Sequence, residues 1–326
     1  MINTEILALH NASDRERAAN LLRAGKLVAI PTETVYGLAA NASNEQAIRG
    51  VFAAKQRPSD HPLIVHIGDI SQLQDWVSDV PAVARVLIEQ CWPGPLTMVF
   101  HKAAAVSPLI TGGRDTVAIR MPDNALLRAL LRDCGPVVAP SANLHKKISP
   151  TCAAQVISGL GGRIDAILDG GDCSVGLEST IVDVTSEPLR VLRAGPYFTA
   201  QLSEIIGADV QMPLQHDVAV AGNMPAHYQP NTKALLFSSQ ELQERINGLN
   251  SNAKPAAVKP AILYYSELHL PSAMHNMKLA ADRRAYAKQI YQALTEADSW
   301  QCQQIWNEQP PTEWHEVNDR LKRACY

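Results

Sequence analysis

The sequence predicts an α/β protein of two domains. A large mixed, twisted sheet flanked by helices is expected over residues 1–206, and a smaller three-layer α/β domain over 233–326. A linker at 207–232 joins them. Three observations carry this expectation. At 326 residues the chain exceeds one typical domain of about 100–200. Short apolar runs alternate with segments of helical spacing through the first two hundred residues. Between 207 and 232 the periodicity lapses and Pro and Gly accumulate before the alternation resumes.

Taken in order, DRERAANLLRAGKL (14–27) sets Ala18, Leu21 and Leu22 on one face and stops at Gly25, which predicts a helix. VAIPT (28–32) reads as a short buried strand. NEQAIRGVFAAK (44–55) aligns Ile48, Val51 and Phe52 on a helix that delivers Lys55 near its end. PLIVHI (62–67), LTMVF (96–100) and TVAIRMP (116–122) read as strands, with helices at PAVARVLIEQCW (81–92) and NALLRALLRDCG (124–135). PVVAPSAN (136–143) is a strand running into a loop, and SPTCAAQVISGLGG (149–162) a helix. Three strands then follow closely, AILDGG, STIVDVT and LRVLRAG, which predicts a mixed rather than an all-parallel sheet. Beyond the linker, KALLF, AILYYS and CQQIWN are strands between helices at 239–249, 276–294 and 313–325, with a flexible loop at 247–261.

Composition narrows the function classes. With 46% hydrophobic and 19% charged residues the chain is globular, and a formal charge of −3 argues against a surface built wholly for nucleic acid while permitting a local basic groove. No run of about 18 uncharged apolar residues occurs, so no membrane span is expected. The opening MINTEILALHNASDRER lacks the basic and apolar regions of a signal peptide. Six scattered cysteines without a CxxC pair suit free thiols. Together these predict a cytoplasmic protein.

Five stretches could carry chemistry. In AIPTETVYGLAA, hydroxyls and one carboxylate follow a strand, where open α/β sheets usually bind ligands. Thr32 and Thr34 there could equally cap the next turn. In AAKQRPSDHPLIVHI, Lys55 and Arg57 sit at a helix-to-strand loop, and Pro58 biases Arg57 to extended backbone. Two such cations fit a polyphosphate, but also a solvated helix end. His66 faces away from Leu63, Val65 and Ile67, and by spacing alone is a core histidine. Ser149 and Pro150 read as the N-cap and first residue of a helix, a potential phosphate site next to Ser141, Asn143, Lys146 and Lys147. In DGGDCSVGLESTIVDV the glycines precede Glu178, Ser179 and Thr180, as a ligand loop or a tight turn. Arg120 and Arg193 end their strands as interior charges that need an anion. GxxxxGK[ST], GxGxxG after the first strand, HExxH and GxSxG are all absent, so a nucleotide would be held by loops rich in Thr, Ser, Asn, Lys and Arg.

The ordered set PTETVYGLAA, KQRPSDHPLIVHI, CWPGPLTMVF, TVAIRMPDN, VVAPSAN, SPT, ILDGGDCSVGLESTIVDV and LRAG resembles the YrdC/Sua5 family. The resemblance is dense over about residues 14–200, and HYQP (227–230) with the terminal DRLKRA resembles the two-domain Sua5 type. It implies a YrdC-like mixed sheet with an open basic groove, and a Rossmann-like C-terminal domain. It also implies L-threonylcarbamoyladenylate synthase activity, a nucleotidyltransferase making threonylcarbamoyl-AMP and pyrophosphate from L-threonine, bicarbonate or CO2, and ATP. That product supplies N6-threonylcarbamoyladenosine in tRNA. By resemblance Lys55 and Arg57 hold the ATP phosphates and are catalytic, with His61 alongside. Thr116, Ser141, Asn143, Ser149 and Arg193 are the remaining nucleotide ligands, and Tyr228 closes over the nucleotide. Thr34, His66, Arg120, the backbone near Ala139, and Ser179 form the threonine pocket. The chain departs from the family pattern at His145, Lys146 and Ile148 before Ser149. It departs again in the linker, where Gln229 replaces Ala and no basic residue directly precedes His227.

No metal-ligand cluster is visible, so Mg2+ is expected to arrive with ATP, held by phosphate oxygens and water. The product is expected to pass to the tRNA threonylcarbamoyl transferase machinery, with at most weak RNA contact and no membrane. Two competing readings are an RNA-binding module without catalysis and a carbamoyl transferase of the hydrogenase-maturation type. The first lacks interleaved aromatics, which make up 5% of the chain. The second lacks paired CxxC zinc modules.

Overall fold

The structure, a computed structural model, describes residues 2–213, 226–251, 259–272 and 274–326. It divides into two compact units. The first takes the described residues of Met1–His145 and Pro150–Asn223, the second those of Lys146–Ser149 and Met224–Tyr326.

The first unit is built on eleven strands: β1 Glu5–Ala8, β2 Val28–Ile30, β3 Gly37–Asn41, β4 Ile64–His66, β5 Leu96–His101, β6 Thr116–Arg120, β7 Val137–Val138, β8 Ala166–Asp169, β9 Thr180–Asp183, β10 Leu189–Arg193 and β11 Val210–Gln211. Its helices are α1 Ala12–Arg23, α2 Glu45–Lys55, α3 Ala82–Cys91, α4 Pro108–Thr111, α5 Ala125–Cys134, α6 Ala153–Leu160 and α7 Thr199–Ile206. The strands form one mixed sheet in the order β1-β8-β2-β3-β7-β4-β6-β5-β9-β10-β11. The last strand lies in the segment read from sequence as linker, and it pairs in parallel with β10.

Helices cover both faces, and the period of two along each strand decides which residue meets which. Leu63, Val65 and Ile67 join Met98, Phe100, Val117 and Ile119 in a core with Ile48, Val51 and Phe52 of α2 and Leu87 of α3. On the opposite face Val28, Ile30, Val137 and Leu168 pack on Leu21 and Leu22 of α1 and on Leu127, Leu130 and Leu131 of α5. Helix starts follow their caps. The side chains of Asn11, Asn44 and Asn124 accept backbone N–H groups of the first turns of α1, α2 and α5. Gly25 closes α1 at φ 72, a left-handed conformation that glycine adopts without strain.

One expected cap is not there. Ser149 and Pro150 do not start a helix: α6 begins at Ala153, after Cys152. The Pro150 carbonyl accepts Tyr36 N–H at 2.9 Å, and Thr151 O accepts Cys173 N–H at 2.9 Å. Those partners fix Pro150 and Thr151 ahead of the helix, and the backbone is extended at Cys152.

The second unit has a four-stranded, all-parallel sheet in the order β12-β15-β13-β14, with β12 Lys233–Phe237, β13 Pro260–Tyr264, β14 Asn276–Lys278 and β15 Gln304–Glu308. Its helices are α8 Ser239–Ser251, α9 Arg283–Ser299 and α10 His315–Ala324. The helix expected from 276 is corrected: Asn276–Lys278 pair as an edge strand, and α9 starts after its N-cap, Asp282. Part of the expected loop is helical, since α8 runs to Ser251, and residues 252–258 of it lie outside the described residues. At the sheet's carboxyl edge the buried Glu308 carboxylate accepts Ser239 Oγ–H and the N–H groups of Tyr265 and Ser266. Those donors, which an anion would use in a Rossmann-like fold, are occupied by the protein's own carboxylate.

Candidate active site

The site grows out of one face of the first sheet. Ile64, Val99, Ile181 and Leu192 form a small apolar cluster there, with Ala118 packed on it. Two residues further along their strands, the same face turns polar: His66 follows Ile64, Arg120 follows Ala118, and Thr97 precedes Val99. β4 and β6 pair in parallel with Ile64 opposite Ala118 and His66 opposite Arg120, so the two polar side chains are neighbours by register. All three are buried. The face away from Leu63, Val65 and Ile67, which made His66 look like a core residue in the sequence, is the face that carries the site.

The rule that ligands collect beyond the strands' carboxyl ends does not apply simply here. Antiparallel pairs between β2 and β3, β3 and β7, and β7 and β4 make β2 run opposite to β6. The Pro31–Tyr36 loop after β2 instead folds back to Arg120. Its backbone is pinned by Val175 N–H to Glu33 O at 2.8 Å and Gly176 N–H to Thr34 O at 3.1 Å. Within it, Thr32 Oγ1 accepts the N–H groups of Thr34 and Val35, so Thr32 is the capping residue. Thr32 Oγ–H donates to Val35 O at 2.6 Å. The Thr34 hydroxyl proton must therefore point to Thr32 Oγ1, 2.8 Å away. That leaves Thr34 Oγ1 to accept Arg120 Nη1–H at 2.8 Å.

Arg120 also donates from Nε to Gly94 O at 3.2 Å, and its Nη2 lies 2.6 Å from Glu33 Oε1. This last contact is ionic but off the hydrogen-bond direction: among the described residues, neither Glu33 oxygen nor Arg120 Nη2 has a well-formed hydrogen bond. His66 Nδ1 lies 3.3 Å from Ile64 O. A carbonyl only accepts, so Nδ1 carries the proton and Nε2 presents a lone pair. Burial first, and then the Arg120 charge, push the His66 pKa down to about 3.

A linkage prediction follows. Unfolded His66 protonates near pH 6.5 and folded His66 only near 3, so between them the unfolded chain binds more protons. This contribution to stability is therefore present above pH 6.5 and lost as the pH falls. Denaturant titrations at pH 7 and pH 5 are expected to show about 2 kcal/mol of loss from this group, absent in His66→Asn.

Ser179 lies just before β9. Its Oγ accepts Arg193 Nη2–H at 3.0 Å and lies 2.7 Å from Thr97 Oγ1, while Arg193 Nε–H donates to Ser179 O. Gly195 permits this: a Cβ there would stand 2.3 Å from Thr180 N. Ala139 N–H is spent on Ile64 O at 3.1 Å, so its carbonyl is the backbone group left for a ligand.

A second group forms at the end of α2. Lys55 Nζ donates to the carbonyls of Ser141 and Asn143, and Lys55 O accepts His145 N–H at 2.8 Å. Lys55 is buried, which drives its pKa well below the usual lysine range, helped by the Arg57 charge. Gln56 ends the helix at φ 52, with Arg57 N–H on Phe52 O, and Arg57 Nη2–H reaches Pro62 O at 2.9 Å. His61 packs edge-on to His145 with centroids 5.4 Å apart. Thr116 starts β6, four residues and about 13 Å along the strand from Arg120. The structure keeps it apart from the Arg120 group.

Ser149 and Tyr228 fall in the second unit. There Lys146 O accepts Gln229 N–H at 2.8 Å, and Lys147 Nζ donates to Asn231 Oδ1 at 2.7 Å. The Gln229 contact is made by backbone, which any residue can supply. Tyr228, at φ 61, is buried, stacked 5.6 Å from Tyr291 with the Arg320 guanidinium 5.4 Å from its ring centre.

Sequence reasoning missed Glu33 as the partner of Arg120, Thr97 as the brace of Ser179, and Tyr36. Tyr36 donates its hydroxyl proton to Gly171 O at 2.8 Å and accepts Gly170 N–H. The available signals were Thr97, a single hydroxyl in the apolar run LTMVF, and Glu33, the one carboxylate in PTET.

The fold and site define a class: a mixed YrdC-like sheet with a buried Arg–His–Ser group on one face, accompanied by a small parallel α/β unit. Residues 20–195 match the family described as Telomere recombination (Sua5_yciO_yrdC), and residues 198–325 the threonylcarbamoyl-AMP synthase C-terminal domain. The chain belongs to the Sua5/YrdC family, in its two-domain form. It is 45% identical over 239 residues to the threonylcarbamoyl-AMP synthase of Bacillus subtilis, covering 72% of this chain and 68% of that one. It is 39% identical over 254 residues to the Pyrococcus abyssi protein of the same name, covering 76% and 75%. The crystal structure of P. abyssi Sua5 complexed with L-threonine superposes with a TM-score of 0.90 at 32% identity, covering 100% of this chain and 97% of that one.

Proposed function

We propose that this chain condenses L-threonine with bicarbonate or CO2 and ATP, giving threonylcarbamoyl-AMP and pyrophosphate. The observation that carries this reading is Arg120, a buried guanidinium fixed at Nε and Nη1 beside a neutral His66 and the hydroxyl of Thr34. A cation so held suits the carboxylate of a small amino acid. Thr34, His66, Ser179 and the Ala139 carbonyl then orient the amine and the hydroxyl.

The threonine amine, once it has shed a proton, attacks CO2 carbon and loses a second proton to become a carbamate. A carbamate oxygen attacks the α-phosphorus of ATP in line, and pyrophosphate leaves with the bonding electron pair. The reactants supply the nucleophile, so the protein's part is positioning and stabilisation of developing charge. Lys55 and Arg57 serve the phosphates, with His61, Thr116, Ser141, Asn143, Ser149, Arg193 and Tyr228 as further nucleotide contacts. None of these side chains is a carboxylate, so Mg2+ fits here as an ion carried by ATP itself, held by phosphate oxygens and water. Among the described residues no group of three His, Cys, Asp or Glu is placed to hold a metal.

The product would serve formation of N6-threonylcarbamoyladenosine in tRNA, handed to the transferase machinery in the cytoplasm. Six free thiols among the described residues suit that compartment. No helix of the described residues is long and apolar enough to cross a membrane.

The test is pyrophosphate release from ATP with threonine and bicarbonate, against serine and no amino acid. Release that needs both threonine and bicarbonate is expected. No release, with salt-sensitive RNA binding in its place, would favour the RNA-binding module.

A further inference from the structure

We propose that Glu33 is the residue that recognises the α-ammonium of the amino-acid substrate, forming with Arg120 a buried two-charge clamp for a zwitterion. The inference rests on the reading of Arg120 as the carboxylate anchor. Three observations carry it.

First, Glu33 is 7% exposed and sits on the loop that also carries Thr34. Its backbone carbonyl is already spent on Val175 N–H, so the loop is held from behind while the side chain points at Arg120. Second, both carboxylate oxygens are buried, and among the described residues neither accepts a well-formed hydrogen bond. A carboxylate has about four acceptor positions, and leaving them empty in a buried site is costly. The Arg120 contact at 2.6 Å balances the charge and occupies one side of Oε1, but it meets no hydrogen-bond geometry and leaves Oε2 unengaged. Third, Arg120 Nη2 is likewise left without a well-formed hydrogen bond, while Nη1 and Nε are satisfied by Thr34 and Gly94.

Arg120 Nη2 and the two Glu33 oxygens therefore lie side by side with hydrogen-bonding capacity unused. An α-amino acid carries the matching pair: a carboxylate for Arg120 Nη2 and, one carbon away, an ammonium for Glu33. An anion alone would satisfy Arg120 and leave Glu33 open. A cation alone would do the reverse.

The experiment measures binding to the full-length chain by calorimetry with three ligands: L-threonine, its 2-hydroxy analogue 2,3-dihydroxybutanoate, and L-threoninamide. The wild type is expected to prefer threonine over the hydroxy acid by about 10–100-fold, the range of one hydrogen-bonded charged contact. Glu33→Gln is expected to lose that preference by weakening threonine binding while the hydroxy acid binds within about twofold of its wild-type affinity. Equal wild-type binding of the two acids overturns the proposal, and so does a parallel loss of both in E33Q, which would make Glu33 only a prop for Arg120. Threoninamide reads the other half of the clamp: if it binds as well as threonine, Arg120 is not the carboxylate anchor, whatever the hydroxy acid does. Should E33Q not fold, E33D takes its place. It keeps the charge at shorter reach and is expected to weaken threonine binding selectively, whereas a parallel weakening of both acids overturns the proposal.

Discussion

Arg120→Ala is expected to destabilise the first unit by about 3–5 kcal/mol, the range for removing one partner of a buried ion pair. The guanidinium and the Glu33 carboxylate lie at 5% and 6% side-chain exposure, so truncating Arg120 strands a buried charge. The comparison with Arg17 and Glu5 shows that burial, not distance, decides. That pair is as close, 2.7 Å, but its side chains are 52% and 37% exposed, so solvent screens it and its loss should leave the denaturant midpoint nearly unchanged. Removing Glu33 as well should return much of the stability, because no charge is then left unpaired, but not threonine binding. Denaturant midpoints of the wild type, both single variants and the double variant form the cycle that tests this. If R120A is no less stable than the wild type, the pair is not the buried contact described.

The second large effect is expected on turnover. Lys55→Ala should lower kcat/KM for pyrophosphate release by about 10²–10³-fold, as removing one preorganised electrostatic group does elsewhere. Two causes combine. The ammonium that would meet the phosphates is gone, and the carbonyls of Ser141 and Asn143 lose the donor that ties them to α2. Lys55→Met removes the charge and the donor together but keeps the bulk of the buried side chain, so it separates both from packing. Both variants should be inactive to a similar degree if charge dominates, whereas recovery in K55M would assign the loss to packing. Normal turnover in K55A would remove Lys55 from the mechanism.

Several elements escaped the sequence for identifiable reasons. β1 and β3 were not expected. EILA offers only four residues, and GLAAN, apart from Leu38, is made of Gly, Ala and Asn, poor strand formers that here are held by pairing with β2 and β7. Asn276–Lys278 was absorbed into a helix because three polar-to-apolar residues show no period of their own. Its strand state comes from backbone pairing with β13. The Ser149 cap failed because Pro150 O is taken by Tyr36, a partner more than a hundred residues away.

By itself the sequence determined what is local. Hydrophobic spacing specified most helices and the central strands, and the ordered motifs marked the family. Period two also placed His66 opposite Leu63, Val65 and Ile67. Only the tertiary structure decided which polar groups meet. Arg120 reaches Thr34 across 86 residues, and Lys55 reaches Asn143 across 88. Those pairings depend on β7 being inserted between β3 and β4 and on β2 running against β6, so that the loop after β2 folds back onto the sheet. Strand order and direction are set by the packing of whole helices on both faces, and a residue's near neighbours in sequence carry no trace of it. That is why Arg120 was visible as a cation needing an anion, and Glu33 as its partner was not.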